Sequence, residues 1–186
     1  MNWKDTIIPK VFYDRDPIEV AKDLLGKFLV RRINNKFLVG IITETEAYLP
    51  EGDEASHNFI GKTKRNASLY KDAGHAYIHS MRQYCLLDVV TEGVDKPGSV
   101  LIRALEPVEG ITGETSGPGK VCRELSITRS LDGIDITDPE SEIFIAKGEE
   151  GTLHELTTTS RIGISKAKDM PLRFHITNNI HVSKKR

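Results

Sequence analysis

The run Thr43-Glu44-Thr45-Glu46-Ala47-Tyr48 sets two carboxylates two residues apart. On a β-strand, residues i and i+2 share a face and lie roughly 6.6–6.8 Å apart, so Glu44 and Glu46 are expected to project together. Acids so placed can divide labour. Burial and a like-charged neighbour raise the pKa of one, while the other stays ionised and orients a water for attack. Taken alone, the pattern describes a polar strand end with two solvated acids. It is not alone here: Tyr48, His57, Tyr77 and His79 are flat groups able to stack, and Lys62, Lys64 and Arg65 form a basic tract between them. A carboxylate beside planar side chains and cations suggests a pocket for a nucleobase.

The elements that must hold these groups are legible in part. Asp16-Pro17 is an N-cap followed by Pro at the first helical position, and Ile18, Ala21, Leu24 and Leu25 keep helical spacing up to Gly26. The spacing predicts a helix of about nine residues. Residues 27–32, then Asn34-Asn35, then 36–46 read as a β-hairpin, because Asn tolerates the positive φ of tight hairpin turns. Residues 75–80 and 86–90 form a second strand pair around Met81-Arg82-Gln83-Tyr84. Residues 100–105 and 172–176 read as strands, and 120–125 as a helix after the breaker run Gly117-Pro118-Gly119. Strands and helices intersperse without βαβ alternation. The expected fold is therefore α+β: one compact domain, residues 1–186, on a curved, mostly antiparallel sheet with flanking helices and a protruding hairpin.

Composition bounds the function. The 186 residues carry 26 Lys+Arg against 27 Asp+Glu, which argues against a bulk polycation that binds nucleic acid by overall charge. Charge is nevertheless segregated. Residues 44–54 hold five acids and no base, and residues 132–155 hold eight acids against Lys147, netting −7. Residues 56–82 carry five bases against Asp72, netting +4, and residues 161–186 carry seven against Asp169, netting +6. Such blocks are ordinarily solvated surface, yet the two basic ones could form one face. With no leader pattern at the start and no apolar run near the ~20 residues of a membrane span, the chain is expected to be soluble and cytoplasmic.

Other chemistries find little support. Gly117-Pro118-Gly119-Lys120 resembles a phosphate-cradling turn but not a Walker A loop, since Glu114 and Val121 stand where Gly and Ser or Thr are required. Six histidines include no zinc-deaminase pattern, and there is no Gly-x-Ser-x-Gly elbow. Cys85 and Cys122 stand in no nucleophile signature and read as small core residues. No cofactor or metal is expected.

The run Glu44–Tyr48, then Asp53-Glu54-Ala55-Ser56-His57, then Lys64-Arg65-Asn66, resembles the active-site segment of the alkyladenine (3-methyladenine) DNA glycosylase family. Gly74–Tyr77, Val100–Pro107, Ser116–Lys120 and Pro171–Phe174 follow in the same order, so the similarity runs from about Phe12 to Ser183. The resemblance implies a monofunctional enzyme, without cofactor or metal and working as a monomer, that flips a damaged purine from duplex DNA and hydrolyses its N-glycosidic bond. It assigns Glu46 as general base on the attacking water, Tyr48 and His57 as the rings that sandwich the base, and Arg103 as a guanidinium near the catalytic water. No Lys lies within fifteen residues after Glu46, which fits hydrolysis rather than lyase chemistry. Lys62, Lys64 and Arg65 are expected to contact phosphate, as are Gly119 and Lys120 at the helix start.

This chain departs from the family in its second hairpin. His79 replaces the second Tyr of a Tyr-x-Tyr pair beginning at Tyr77, Met81 and Arg82 occupy the tip where a tyrosine commonly wedges into DNA, and Asp88 stands where an Asn is common. An anion at position 88 alters discrimination between adenine-like and guanine-like bases. Two other readings stay open: a nucleoside or sugar glycosidase using Glu44 and Glu46, and a lesion-binding module without turnover.

Overall fold

The computed structural model describes residues 3–94, 96–148 and 154–183; Lys184, Lys185 and Arg186 of the second basic block and Glu149 and Glu150 of the acidic block lie outside them. Asp16 accepts the Ile18 amide at 2.7 Å and starts helix α2 (Pro17–Asp23), which follows the single-turn α1 (Lys10–Tyr13). At seven residues α2 is shorter than its apolar spacing suggests, because the chain turns at Gly26, whose φ is +82°. Strands β1 (Phe28–Ile33) and β2 (Lys36–Tyr48) join through Asn34 and Asn35, both at positive φ as a tight hairpin requires. Strands β3 (Ala76–Met81) and β4 (Tyr84–Thr91) pair around a tip in which Arg82 has positive φ. The long β5 (Gly98–Glu109), helix α3 (Pro118–Glu124) and short strands β6 (Ile143–Ala146), β7 (Leu156–Thr159) and β8 (Arg173–Ile176) complete the order.

The eight strands make one curled sheet in the order β3-β4-β5-β2-β1-β6, with β8 beside β2 and β7 beside β8, and all these pairs are antiparallel. Strand β2 has 13 residues, enough to pair β1 along its first half and β8 along its second. Directly paired residues point to the same side of a sheet. A transverse row therefore runs Tyr77, Asp88, Leu101, Glu46, Arg173, each opposite the next across one strand step. Alternation along the strands adds His79, Ser99, Arg103, Glu44 and Tyr48 to that face. The intervening residues Ala47, Ile78, Leu87, Val89, Val100 and Ile102 are buried in the main core with residues of α2 and α3. Thr45 ties this layer to α2 by donating to the Ala21 carbonyl at 2.8 Å. Register shifts around Glu44 mark a bulge in the β2–β5 pairing, which bends the sheet beside the acids.

Candidate active site

Glu44 and Glu46 do share a face, and Arg103 of β5 bridges them. Its Nε donates to Glu44 Oε1 at 2.9 Å while Nη1 lies 3.1 Å from Glu46 Oε2. Both carboxylates are fully buried, yet their surroundings differ. Glu44 also accepts Arg173 Nε at 2.6 Å, the Ser183 hydroxyl at 2.6 Å and the Ser183 amide at 2.5 Å. Burial pushes its pKa up, but Arg103, Ser183 and Arg173 outweigh burial and hold Glu44 below the ordinary carboxylate range. Glu46 has fewer donors: the Ile162 amide at 2.7 Å on Oε1 and the Tyr48 hydroxyl at 3.0 Å on Oε2. Burial prevails over Arg103 and these hydrogen bonds, so Glu46 sits above the ordinary range. Glu44 is thus an anchor held by four donors, three of them on Oε1, and Glu46 is the more basic of the two.

Tyr48 is held from both ends. Its hydroxyl stays protonated far above its usual range, chiefly through burial and the charge of Glu46. The Arg161 guanidinium lies 4.6 Å from its ring centroid. Arg161 in turn grips Asp53 with two bonds of 2.6 and 2.7 Å and donates to the Ala47 carbonyl. Asp53 accepts the Leu49 and Ala55 amides and so shapes the turn that carries His57. Asn66 fixes the far side of that turn by donating to the carbonyls of His57 and Gly61.

His57 reaches Tyr77 Oη through Nδ1 at 2.8 Å, and its ring meets His79 edge-on at 4.5 Å between centroids. His79 stacks on Tyr77 at 5.2 Å with an interplanar angle of 24°. Burial, then the neighbouring His79, push His57 below its usual pKa against the pull of Asp88. His57 and His79 wall a cavity of about 390 Å³ that Tyr48, Arg103, Met81, Arg82, Gly119 and Ile162 also line, a volume in the range of small-molecule sites. Glu46 lies behind Tyr48 and Arg103. A second cavity of about 770 Å³ shares His57 and His79 with the first, adds Tyr77, and is rimmed by Lys64, Arg65 and Arg129.

The expected residues are not all gathered equally. Asp88 stands behind His79, with Oδ1 3.4 Å from His79 Nε2 and Oδ2 accepting the Ser99 hydroxyl at 3.0 Å. Lys62 packs its ammonium 5.3 Å from the Tyr70 centroid, away from either cavity. Lys120 is ion-paired with Glu114 at 2.6 Å, and Gly119 lies against Tyr84, where a Cβ would come within 2.9 Å. Arg161, Ser183 and the Ile162 amide lie outside the quoted motifs. Asp53 and Arg173 do stand within the quoted family runs, but their partners are 108 and 129 residues away in sequence. Among the described residues, no group of three or more His, Cys, Asp or Glu could hold a metal ion.

Comparison with known proteins places this arrangement in context. The sequence profile of the family described as methylpurine-DNA glycosylase (MPG) matches residues 11–180. A protein of Carboxydothermus hydrogenoformans, provisionally named 3-methyladenine DNA glycosylase, is 43% identical over 96% of this chain and 100% of its own length. Similarly named proteins of Francisella tularensis subsp. tularensis and Chlorobium phaeobacteroides are 44% and 38% identical, over 90% and 97% of this chain and 94% and 98% of their own lengths.

Proposed function

The chain belongs to the methylpurine-DNA glycosylase family and is a DNA glycosylase of DNA repair, and from that premise we propose that it flips alkylated or deaminated purines out of duplex DNA and hydrolyses their N-glycosidic bonds. The observation that carries this reading is the buried Glu46, more basic than its neighbour and joined to Tyr48 at the wall of a ring-lined cavity. A carboxylate offers about four lone-pair sites. The Ile162 amide takes one on Oε1, while Tyr48 and Arg103 occupy Oε2, so a second site on Oε1 is left for the nucleophilic water. Glu46 takes the proton of that water as it attacks C1′, and its charge steadies the positive sugar ring that develops. Arg103, held by Glu44, keeps the carboxylate oriented. Tyr48, His57, Tyr77 and His79 receive the extruded base, whose cationic forms gain from electron-rich ring faces.

Lys64 and Arg65 are exposed on the rim of the neighbouring cavity and track phosphates on this reading; Met81 and Arg82, at the hairpin tip and lining the first cavity, enter the space the base leaves. Lys62, Gly119 and Lys120 are assigned weaker backbone contacts, Lys120 once Glu114 releases it. The same reading takes residues 1–186 as one glycosylase domain acting as a cytoplasmic monomer. No helix among the described residues is long and apolar enough to cross a membrane. Glu44, fully buried and committed to four donors, counts against a sugar glycosidase that would use both acids as a catalytic pair. Incubation with duplexes containing 3-methyladenine, 7-methylguanine or hypoxanthine should yield abasic sites. Turnover of free nucleosides alone would point to the glycosidase, and binding without abasic sites to an inactive module.

A further inference from the structure

Glu46 meets three donors: the Arg103 guanidinium, the Tyr48 hydroxyl and the Ile162 amide. Glu44 holds the first of them through Nε of Arg103. The two neutral donors are held from elsewhere, and both lead to Arg161. Its guanidinium lies 4.6 Å from the centroid of the Tyr48 ring, and Ile162 is the residue that follows it in the chain.

The segment that carries Ile162 runs between β7 and β8. Among the described residues no backbone–backbone hydrogen bond involves residues 160–164, so neither a ladder nor a turn fixes where the Ile162 amide points. Arg161 supplies the anchor. Its side chain is fully buried, forks onto both oxygens of Asp53 at 2.6 and 2.7 Å, and donates to the Ala47 carbonyl at 3.0 Å. A planar, bidentate contact of this kind fixes direction as well as distance. Ala47 stands between Glu46 and Tyr48 on β2, so the guanidinium sets the segment against the strand that bears the acid. Stability alone is a poor account of the pair, because buried ion pairs are often replaceable by apolar residues without loss, and here the buried Nε of Arg161 has no partner.

We infer that Arg161 is a positioning residue for base release: by clamping the Tyr48 ring and the Ile162 amide together it sets both neutral hydrogen bonds on Glu46 and, with them, the lone pair of Oε1 left for water. This rests on the glycosylase reading and adds a residue to its machinery. The two hydrogen bonds oppose the rise that burial imposes on Glu46. Loosening them leaves burial less opposed, so the acid keeps its proton to higher pH. The other charged groups facing Glu46 are Arg103 from β5, Glu44 from its own strand and Arg173 opposite it on β8, and their hydrogen bonds to one another do not pass through Arg161.

The test is the pH profile of single-turnover release of 7-methylguanine from a duplex, or of hypoxanthine where wild type releases only that, by wild type and by Arg161→Lys. Lysine keeps a charge for Asp53 but loses the fork and the flat face. The acid limb should move to higher pH by about one unit, which is roughly tenfold slower release at a fixed pH on the limb. Ile162→Pro deletes the amide donor while leaving Arg161 in place, and should move the limb the same way. If thermal melting shows that Arg161→Lys does not fold, Asp53→Asn combined with Arg161→Gln takes its place, since it leaves no lone buried charge. A limb that coincides with that of wild type in a folded Arg161 variant, whatever its Tm, overturns the inference and leaves the glycosylase reading intact. Wild type that releases neither base overturns both.

Discussion

At the scale of the residue, two glutamates two positions apart acquire opposite character from their partners. Four donors hold Glu44 down, whereas burial prevails at Glu46 and holds it up. A general base must be ionised, so base release should fall as pH drops through the raised Glu46 value, an acid limb starting above the ordinary carboxylate range near 4.5. Glu44 is among the charges that raise Glu46. Glu44→Gln should accordingly move that limb to lower pH, as read from a pH profile of single-turnover rates. An unmoved limb would detach the two acids from one another. The contribution of each acid to stability has the opposite sign. The lowered Glu44 adds stability above the unfolded carboxylate pKa that is lost as pH falls through its folded value, while the raised Glu46 favours the folded state most at acid pH.

At the scale of the element, what the sequence reveals is what is local. The period of two in Glu44, Glu46 and Tyr48, the Asn34-Asn35 turn and the Asp16-Pro17 cap each lie within a few residues of what they control, and all reappear in the fold. The supports of the site do not. Ser183 meets Glu44 across 139 residues, and Arg161 meets Asp53 across 108, separations over which no spacing rule operates. Strands β6 and β7, four residues each, were equally hidden, because Ile143–Ala146 and Leu156–Thr159 become strands by completing the edges of β1 and β8. Lys120, whose position after Gly-Pro-Gly suggests a phosphate ligand, is ion-paired with Glu114 six residues earlier, a partner that the motif does not announce. The Asp53–Arg161 pair is fully buried, and removing one partner of such a pair costs about 3–5 kcal/mol. Asp53→Asn should therefore lower Tm by at least about 6–12 °C, at roughly 2–4 °C per kcal/mol for a chain of this size. A shift under about 2 °C would show that the pair is not what holds the His57 turn.

At the scale of the whole molecule, the chain is near-neutral and its charge is segregated, which is the basis of the DNA contact proposed above. The rim formed by Lys64, Arg65 and Arg129 opens beside the ring-lined cavity, so the phosphate contact and base capture proposed above would fall on adjoining surfaces. Lys64→Ala and Arg65→Ala should each weaken duplex binding similarly across sequences and reduce the slope of log K against log salt by about 0.9 per lost contact. A salt titration identical to wild type would remove these residues from the interface. The proposed hydrolysis turns on the proton that Glu46 would accept from water. The most direct test is Glu46→Gln, assayed for lesion-duplex binding and for abasic-site formation in one preparation. Binding within severalfold of wild type, with base release slowed at least about a hundredfold, is the expected result. Base release at a comparable rate would contradict the assignment.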